Sequence, residues 1–430
     1  MDNTILYIFL IFLVLVLASV PMAYSMLLTA AAYFFFINPL VPATVIPQMS
    51  VGMISESFTL LAVPLFLLAG DLLNSCGMTE RLVNFAVAVV GHIRGGIGHA
   101  VVVANIIMAG MSGSATADAA GIGSMMIPAL KQAKFRPSTA AALCASAATI
   151  GPIIPPSIPM VLYSSMSGVS LGRLLLAGII PGLVMGFFLM IDLFLSAESA
   201  RTARAPFSWR RVLTTGRDAV LAIIMPVIIL GGMFTGVYTP TEGAAVAVAY
   251  AMLIGALVYQ TLTPAVIFRS LRRTSVITGA VMFIVAAANT LSWILTVEHA
   301  GDAVMQMLRP VQTSPQLTLL SIVALLLILG CFMEGAAILV LMTPVLAPVA
   351  LKVGIDPVHF GLVFVLAVMI GLITPPVGMT MFVTANIAHV SVGEFAKAVW
   401  RPFLALTAAC LVVALWPGLV LFIPNLVMGK

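Results

Sequence analysis

The sequence contains very few charged side chains for its length. Among 430 residues there are 19 Lys or Arg and 14 Asp or Glu, which is 8% of the chain. Soluble domains carry roughly 25% charged residues, so this composition excludes a soluble globular protein. Hydrophobic residues make up 62%, and their long runs predict helices that cross a lipid bilayer about 30 Å thick.

Motifs that would carry enzymatic or cofactor chemistry are also absent. The cysteines occur singly and the histidines lack metal-ligand spacing. There is no phosphate-binding loop, paired membrane aspartate or Ser-His pair. We therefore predict no enzymatic activity, no cofactor and no transition metal. The net charge of +5 is interpreted as a membrane-topology signal rather than as a sign of nucleic-acid binding. The four cysteines are predicted to pack among apolar side chains; they are Cys76, Cys144, Cys331 and Cys410.

Glycine and proline recur along the chain at an offset of about 220 residues. The matching pairs are Gly110 and Gly330, Pro128 and Pro348, Pro137 and Pro357, Gly151 and Gly371, and Pro155-Pro156 and Pro375-Pro376. Because these residues interrupt or end helices, the pattern of backbone breaks is what recurs. It predicts two similar halves, 1–196 and 218–430, joined by an Arg-rich cytoplasmic linker over 197–217.

Each half contains one apolar stretch that is too long for a single crossing. The stretches 96–130 and 316–350 are interrupted at Gly110–Ser114 and at Phe332–Gly335. Basic residues flank the first stretch on both sides, so both of its ends are predicted to be cytoplasmic and the stretch to be a re-entrant helical hairpin. Each half then crosses the membrane an odd number of times. The predicted fold is therefore all-α and polytopic, with two inverted-topology repeats.

The distribution of basic residues supports this topology. With the N-terminus outside, 15 of the 19 basic residues, among them Arg269, Arg272 and Arg273, fall in the predicted cytoplasmic loops, as the positive-inside rule requires. The basic residues on the outer side are Arg173, Arg309, Lys352 and Lys430. A single missed crossing would reverse every later loop and destroy this asymmetry.

Two predicted helices, 138–166 and 358–388, carry paired prolines near their middle. Proline removes an amide hydrogen, so each helix should unwind there and expose carbonyl oxygens at membrane depth. Carbonyl and hydroxyl oxygens beside half-helix ends suit sodium. A simple proline kink is the alternative, but the recurrence beside a hairpin favours an ion site. The candidate sodium ligands are Ser112, Gly113, Ser114, Gly151, Pro155, Glu334, Gly335, Gly371, Thr374, Pro375 and Gly378.

An anionic substrate would meet no fixed positive charge, because no Lys or Arg lies in the middle of a predicted span. Backbone amides, hydroxyls and a bound cation would have to bind it instead. The candidate substrate contacts are Thr116, Asp118, Ser157, Thr380 and Asn386. For the polar residues at 112–118, helix capping by Ser114 and Asp118 is an alternative role. Proton coupling at Asp118 is another.

Four segments resemble one known family. They are MSGSATADAAGIGSMMIPAL at 111–130, GPIIPPS at 151–157, YTPTEGAAVAVAYA at 238–251 and GLITPPVGMTMFV at 371–383. In this order they are similar to segments of the large membrane subunit of tripartite ATP-independent periplasmic (TRAP) transporters of the dicarboxylate or sialic-acid type. The resemblance spans nearly the whole chain.

This resemblance implies several properties that the residue patterns do not show. Such subunits belong to the ion transporter superfamily, lie in the bacterial inner membrane and work as elevators. They pair with a small four-helix membrane subunit and receive an organic acid from a periplasmic binding protein, and inward sodium flow drives uptake. By similarity, the 112–114 tip would share a sodium site with the break at 371–378, and the 332–335 tip with the break at 151–157. The alternative within membrane proteins is a stand-alone sodium or proton antiporter of related fold.

Overall fold

The computed structural model describes residues 4–196, 198, 206–308 and 314–429. All regular structure in these residues is helical. Eight of the described helices are long and apolar enough to cross a membrane, judged by length and composition. The predicted linker lies outside the described residues at 197 and 199–205, and its last part, from Trp209, is helical.

The α-helices divide between the two halves of the chain. Those of the first half are α1 Thr4–Leu17, α2 Met22–Ala32, α3 Val45–Glu56, α4 Ala62–Ser75, α5 Met78–Val90, α6 Gly96–Ser112, α7 Ala115–Gln132, α8 Pro137–Ala148, α9 Ile158–Ser167, α10 Leu171–Ala177 and α11 Ile179–Leu195. Those of the second half are α12 Trp209–Phe234, α13 Pro240–Leu253, α14 Pro264–Val297, α15 Ala300–Leu308, α16 Pro315–Phe332, α17 Gly335–Lys352, α18 Pro357–Gly371, α19 Met379–Ala388, α20 Val392–Leu415 and α21 Pro417–Met428.

Helix boundaries recur at the same offset as glycine and proline. Helices α7 and α17 run over 115–132 and 335–352, so both of their ends are related by 220 residues. A π-helical turn also follows α2 at Tyr33–Ile37 and α13 at Ile254–Val258. The sequence repeat is therefore accompanied by a repeat of helix lengths.

Several short or charged helices had no counterpart in the sequence analysis. Helices α3, α5 and α15 occupy segments predicted as loops. Residues 398–424, predicted as one last span, are divided between α20 and α21. Arg269, Arg272 and Arg273 lie within α14, and not in the loop before it. A charged segment of an otherwise apolar helix has low hydropathy, which is why it resembles a loop when only apolar runs are counted.

Four interruptions lie between consecutive helices near the centre of the molecule. Tip 1 is Gly113–Ser114, between α6 and α7, and tip 2 is Met333–Glu334, between α16 and α17. Break 1 is the non-helical segment 149–157 between α8 and α9, and break 2 is the segment 372–378 between α18 and α19. Each break contains one cis Pro-Pro bond.

The helices that lead into the two breaks form the centre of the core. In α18 every residue from Val358 to Gly371 is buried, and in α8 every residue from Ala140 to Ala148. Such helices are apolar on all sides because protein surrounds them. Tyr163 of α9 packs against Phe364 of α18 with ring centroids 5.7 Å apart, so the two halves interlock.

Candidate functional site

One cavity is lined by both tips and both broken helices. This tip cavity encloses about 120 Å³. Its first side consists of Gly113–Thr116 with Pro152, Ile158 and Pro159, and its second side of Glu334–Ala336 with Met369, Leu372 and Met379. Leu67 of α4 and Ile277 and Val281 of α14 form an apolar wall opposite the tips. The arrangement places four interrupted backbone segments around a single small volume.

Tip 1 contacts break 1 directly. The amide of Ile158 donates a hydrogen bond to the carbonyl of Gly113 over 3.4 Å. Gly113 has a φ of +58°, and a Cβ at this position would lie 2.6 Å from the carbonyl oxygen of Pro156. A left-handed backbone and this close approach together require glycine.

The end of α16, next to tip 2, contacts break 2 in a similar way. The amide of Val377 donates to the carbonyl of Cys331 over 3.0 Å, and the Cys331 thiol lies 3.0 Å from the hydroxyl of Thr374. Helices α16 and α18 meet where Gly330 and Gly371 face each other, and a Cβ on Gly330 would lie 2.7 Å from the Cα of Gly371.

These direct contacts differ from the crossed pairing that the family resemblance implied. Each hairpin touches the break of its own half, because glycine at Gly113 and at Gly330 lets the two backbones approach closely. The two halves instead meet across the tip cavity, where Gly113–Ser114 and Glu334 line the same space. The crossed pairing concerned the sodium sites and stays a prediction, whereas the direct contacts favour pairing within each half.

Asp118 lies behind tip 1 rather than in the tip cavity. Its side chain is fully buried, and the Ser112 hydroxyl donates a hydrogen bond to Oδ1. Within the described residues, Oδ2 has no hydrogen-bond partner. This oxygen faces Gly151, where an added Cβ would overlap it. The glycine of break 1 thus leaves room for a carboxylate with a free lone pair, which could bind a cation or a proton.

Ser114 and Thr116 present hydroxyls to the tip cavity. Their oxygens lie 3.2 Å apart. Ser114 also caps α7, since its side chain accepts a hydrogen bond from the amide of Ala117. The capping explanation and exposure to the cavity therefore hold for the same residue, because a hydroxyl that accepts one bond keeps a donor and a second lone pair.

Glu334 is the N-cap residue of α17 and lines the tip cavity. Its Oε2 atom has no hydrogen-bond partner within the described residues. Gly335, the first residue of α17, lies beside it in the same lining. Tip 2 therefore presents a carboxylate and the positive end of a helix dipole at the same place.

Hydroxyl groups satisfy equivalent carbonyls in the two breaks. The Ser157 hydroxyl donates to the carbonyl of Pro152, and the Thr380 hydroxyl donates to the carbonyl of Leu372 over 2.8 Å. Both hydroxyl-bearing residues are fully buried. These two predicted substrate contacts lie outside the tip-cavity lining, and both stabilise the break of their own half.

Break 2 also contains internal hydrogen bonds. The Thr374 hydroxyl donates to the carbonyl of Gly371 over 2.5 Å, and the amide of Gly378 donates to the carbonyl of Thr374 over 3.1 Å. Pro155 of break 1 is buried, and Pro375 of break 2 is partly exposed. Asn386, in the last turn of α19, is exposed and lies outside the tip-cavity lining.

A second cavity of about 260 Å³ lies between α4 and α14 on one side and α6 and α7 on the other. We call it the arginine cavity, and its polar lining residues are Asp71, Asn74, Ser112, Ser124, Arg273 and Thr274. Arg273 and Asp71 form an ion pair with Nη1 and Oδ1 3.2 Å apart. This site was not among the predicted ones, because Arg273 was expected in a cytoplasmic loop. Within the described residues, no group of three or more His, Cys, Asp or Glu side chains has the arrangement of a metal site.

A family model described as "Tripartite ATP-independent periplasmic transporter, DctM component" matches residues 9–419. The chain belongs to this family. It is 38% identical over 416 residues to the sialic acid TRAP transporter large permease protein SiaM of Vibrio cholerae, covering 96% of this chain and 97% of the relative. It is 35% identical to the 2,3-diketo-L-gulonate TRAP transporter large permease protein YiaN of Escherichia coli, covering 95% of each.

A third relative is the C4-dicarboxylate TRAP transporter large permease protein DctM of Pseudomonas aeruginosa, at 37% identity over 86% of this chain and 87% of the relative. These relatives are transporter permeases rather than enzymes. As a member of this family the chain is a multi-pass protein of the bacterial inner membrane and one component of a three-part transporter.

The fold is similar to that of the YdaH transporter of Alcanivorax borkumensis, whose crystal structure was described as revealing an unusual topology. The TM-score is 0.63 with 13% sequence identity, and the match covers 96% of this chain and 98% of the other. At this identity the likeness concerns the fold alone. It supports the all-helical polytopic class predicted from composition.

Proposed function

We propose that this chain is the membrane permease of a sodium-coupled importer of organic acids, with a small membrane subunit and a periplasmic binding protein as its partners. The observation that carries the proposal is the tip cavity, where two helix tips and two broken helices meet. A carboxylate oxygen without a partner in the described residues lies beside each tip, at Asp118 and Glu334. Paired interrupted helices of this kind form ion and substrate sites in secondary transporters.

The first sodium site in this proposal lies between tip 1 and break 1. Asp118 Oδ2 supplies a negative charge, and the Ser112 hydroxyl and the carbonyls of Gly151 and Pro155 supply further oxygen ligands. Burial of Asp118 supports a bound cation, since an isolated buried carboxylate is costly. Oxygen atoms are the ligands that hard cations prefer.

The second sodium site lies between tip 2 and break 2. Glu334 contributes the carboxylate, and Thr374 contributes a hydroxyl that already bonds the carbonyl of Gly371. A hydroxyl that donates one hydrogen bond keeps lone pairs for a cation. The carbonyls of Pro375 and Gly378 complete the proposed ligand group.

The substrate site is the tip cavity between the two sodium sites. Ser114 and Thr116 offer hydroxyl donors, and α7 and α17 begin at the cavity, so their dipoles favour an anion. Two bound cations would offset the charge of Glu334. The relatives are named for sialic acid, 2,3-diketo-L-gulonate and C4-dicarboxylates. All of these are carboxylic acids, which supports an organic acid as substrate.

An elevator motion of inverted halves accounts for the wall opposite the tips. We assign α6–α9 and α16–α19 to the moving body, and α4 and α14 to the scaffold. The scaffold side of the tip cavity is apolar, with Leu67, Ile277 and Val281. An apolar surface without specific hydrogen bonds lets a packed body slide past it at low cost. The same wall would close the substrate site from one side at a time.

Uptake by reconstituted vesicles tests this function. Proteoliposomes are prepared with the chain and with the small membrane subunit and binding protein encoded by neighbouring genes. Sialic acid, 2,3-diketo-L-gulonate or succinate is the probe. The expected result is uptake of one acid that needs an inward sodium gradient and both partners. Uptake by the chain alone would favour the stand-alone carrier, and sodium-independent uptake driven by a proton gradient would overturn sodium coupling.

A further inference from the structure

The arginine cavity contains a guanidinium group with unused hydrogen-bonding capacity. Asp71 is the carboxylate paired with Arg273 in the described part of the chain, through the Nη1 contact of 3.2 Å. Guanidinium has five N–H donors arranged to bind a carboxylate through two parallel hydrogen bonds. The Arg273 side chain is 61% exposed, whereas that of Asp71 is 16% exposed. The cation therefore faces the cavity while its partner holds it from behind.

Neutral polar groups of the same cavity also lack partners or keep free donors. Thr274 is 6% exposed, and its hydroxyl has no hydrogen-bond partner within the described chain. Asn74 accepts a hydrogen bond from Thr79 through Oδ1 over 2.8 Å, which leaves its amide nitrogen as a donor. An unpaired buried hydroxyl is costly unless a ligand or water satisfies it. Together with the guanidinium, these groups supply hydrogen-bond donors that can bind an anion.

The arginine cavity adjoins the tip cavity. Leu67 and Ile277 line both. Arg273 and Ile277 are one helical turn apart on α14, which is about 6 Å along the helix axis. A solute that leaves the tip cavity along α14 would therefore meet the guanidinium after a movement of about one turn.

The ion pair is not part of the repeated framework. At the offset of 220 residues, Met53 stands opposite Arg273 and Leu291 stands opposite Asp71. The equivalent positions, in α3 of the first half and in α14 of the second, thus carry no charge. A pair that only joined two scaffold helices would be replaceable by apolar residues, such as those at the equivalent positions.

We propose that the arginine cavity is an anion subsite, in which Arg273 binds a carboxylate group and Asp71 holds the guanidinium in place and competes with the ligand. The assignment of that ligand as the transported acid rests on the proposed function. The subsite would receive the acid next to the tip cavity and favour acids over neutral sugars. Ser124, exposed on α7, lines the same cavity, so a reporter group at this position can sense its occupancy.

A cysteine at position 124 tests the subsite without measuring transport. Ser124→Cys is introduced into the full chain in its complex with the small subunit, and labelling by a neutral thiosulfonate reagent is followed by site-resolved mass spectrometry. Sialic acid or succinate should slow labelling of this cysteine relative to chloride at the same concentration. Arg273→Gln should raise the half-protecting concentration about tenfold, and Asp71→Asn should lower it about threefold.

Further variants separate binding from a structural role. Arg273→Lys keeps the positive charge but lacks the paired N–H donors of guanidinium, so it should give intermediate protection. The double variant Asp71→Asn with Arg273→Gln should protect as poorly as Arg273→Gln alone; protection restored to the original level would mean that the pair only supports the fold. A cysteine at Ser138, which lines a different cavity, should not be protected.

The outcomes for the subsite and for the proposed function are distinguishable. Absence of protection in a complex that still takes up an acid would overturn the subsite alone. Absence of uptake for every acid, with protection that depends on Arg273, would overturn the proposed function and leave the anion subsite standing. Equal elution of all variants in size-exclusion chromatography shows that they are folded.

Discussion

In the first half of the chain, the carboxylate next to the tip is Asp118, one turn inside α7 and fully buried. The second half has Ile338 at the equivalent position and carries its carboxylate, Glu334, on the tip itself, in the cavity lining. The two tips thus share a backbone design and differ in where they place negative charge. A charge held away from the cavity suits an ion site, and a charge in the lining is able to influence both ion and substrate.

The strongest test of this difference is Asp118→Asn. The variant keeps the shape and removes the buried charge, so we expect sodium-driven uptake to fall by about 100-fold. Glu334→Gln, at the more exposed carboxylate, should lower uptake by about tenfold. Equal effects of the two variants would contradict the assignment of different environments. Initial rates of uptake over a range of sodium concentrations provide the measurement.

Substitution of alanine for Gly113 and for Gly335 should affect stability very differently. In Gly113→Ala, the new Cβ would be 2.6 Å from the Pro156 carbonyl at a φ of +58°, so we expect a clear loss of thermal stability, on the order of 1–3 kcal/mol. In Gly335→Ala, the nearest atom is the flexible Met369 Cε at 2.9 Å, so the change should be small. Thermal unfolding of both purified variants decides between these outcomes.

Hydroxyl deletion compares the two proposed sodium sites. We expect Ser112→Ala and Thr374→Ala to raise the sodium concentration for half-maximal uptake by about three- to tenfold, because each removes one hydroxyl ligand of a proposed site. Ser55→Ala, on an exposed face of α3 outside both cavity linings, is the matched control and should leave this concentration unchanged. An unaltered sodium dependence in both test variants would remove them from the sites.

The smallest effect is expected from Asn386→Ala. The residue is exposed in the last turn of α19 and lies outside the tip-cavity lining. We expect uptake to change by less than about twofold, within the usual range for surface substitutions. A large loss of substrate affinity, measured as the KM for the acid, would return Asn386 to the substrate site.

The sequence predicted the interruptions better than the helices around them. Glycine and proline act on their own backbone, so Gly113 and the paired prolines mark breaks whatever surrounds them. The segments that became α3, α5 and α15 were missed because their hydropathy is interrupted by polar residues. Their helical state depends on packing against neighbours, which a hydropathy pattern does not contain.

Candidate ligands were identified by residue type, and their roles depend on neighbours. Ser157 and Thr380 have the right oxygen atoms, yet both donate to carbonyls of their own breaks. Arg273 was assigned to a loop, although it lies in α14 and faces a cavity. The family motifs identified the type of protein, but they did not indicate which hairpin touches which break.

Composition and the spacing of glycine and proline were sufficient to predict a polytopic helical protein with two similar halves. Membrane insertion and backbone breaks depend on local chemistry, which the sequence contains. Tertiary structure alone decided that each hairpin contacts the break of its own half, that the halves meet across the tip cavity, and that an ion pair lies next to it. These contacts join residues far apart in the chain, and only the packing of whole helices brings such residues within hydrogen-bonding distance.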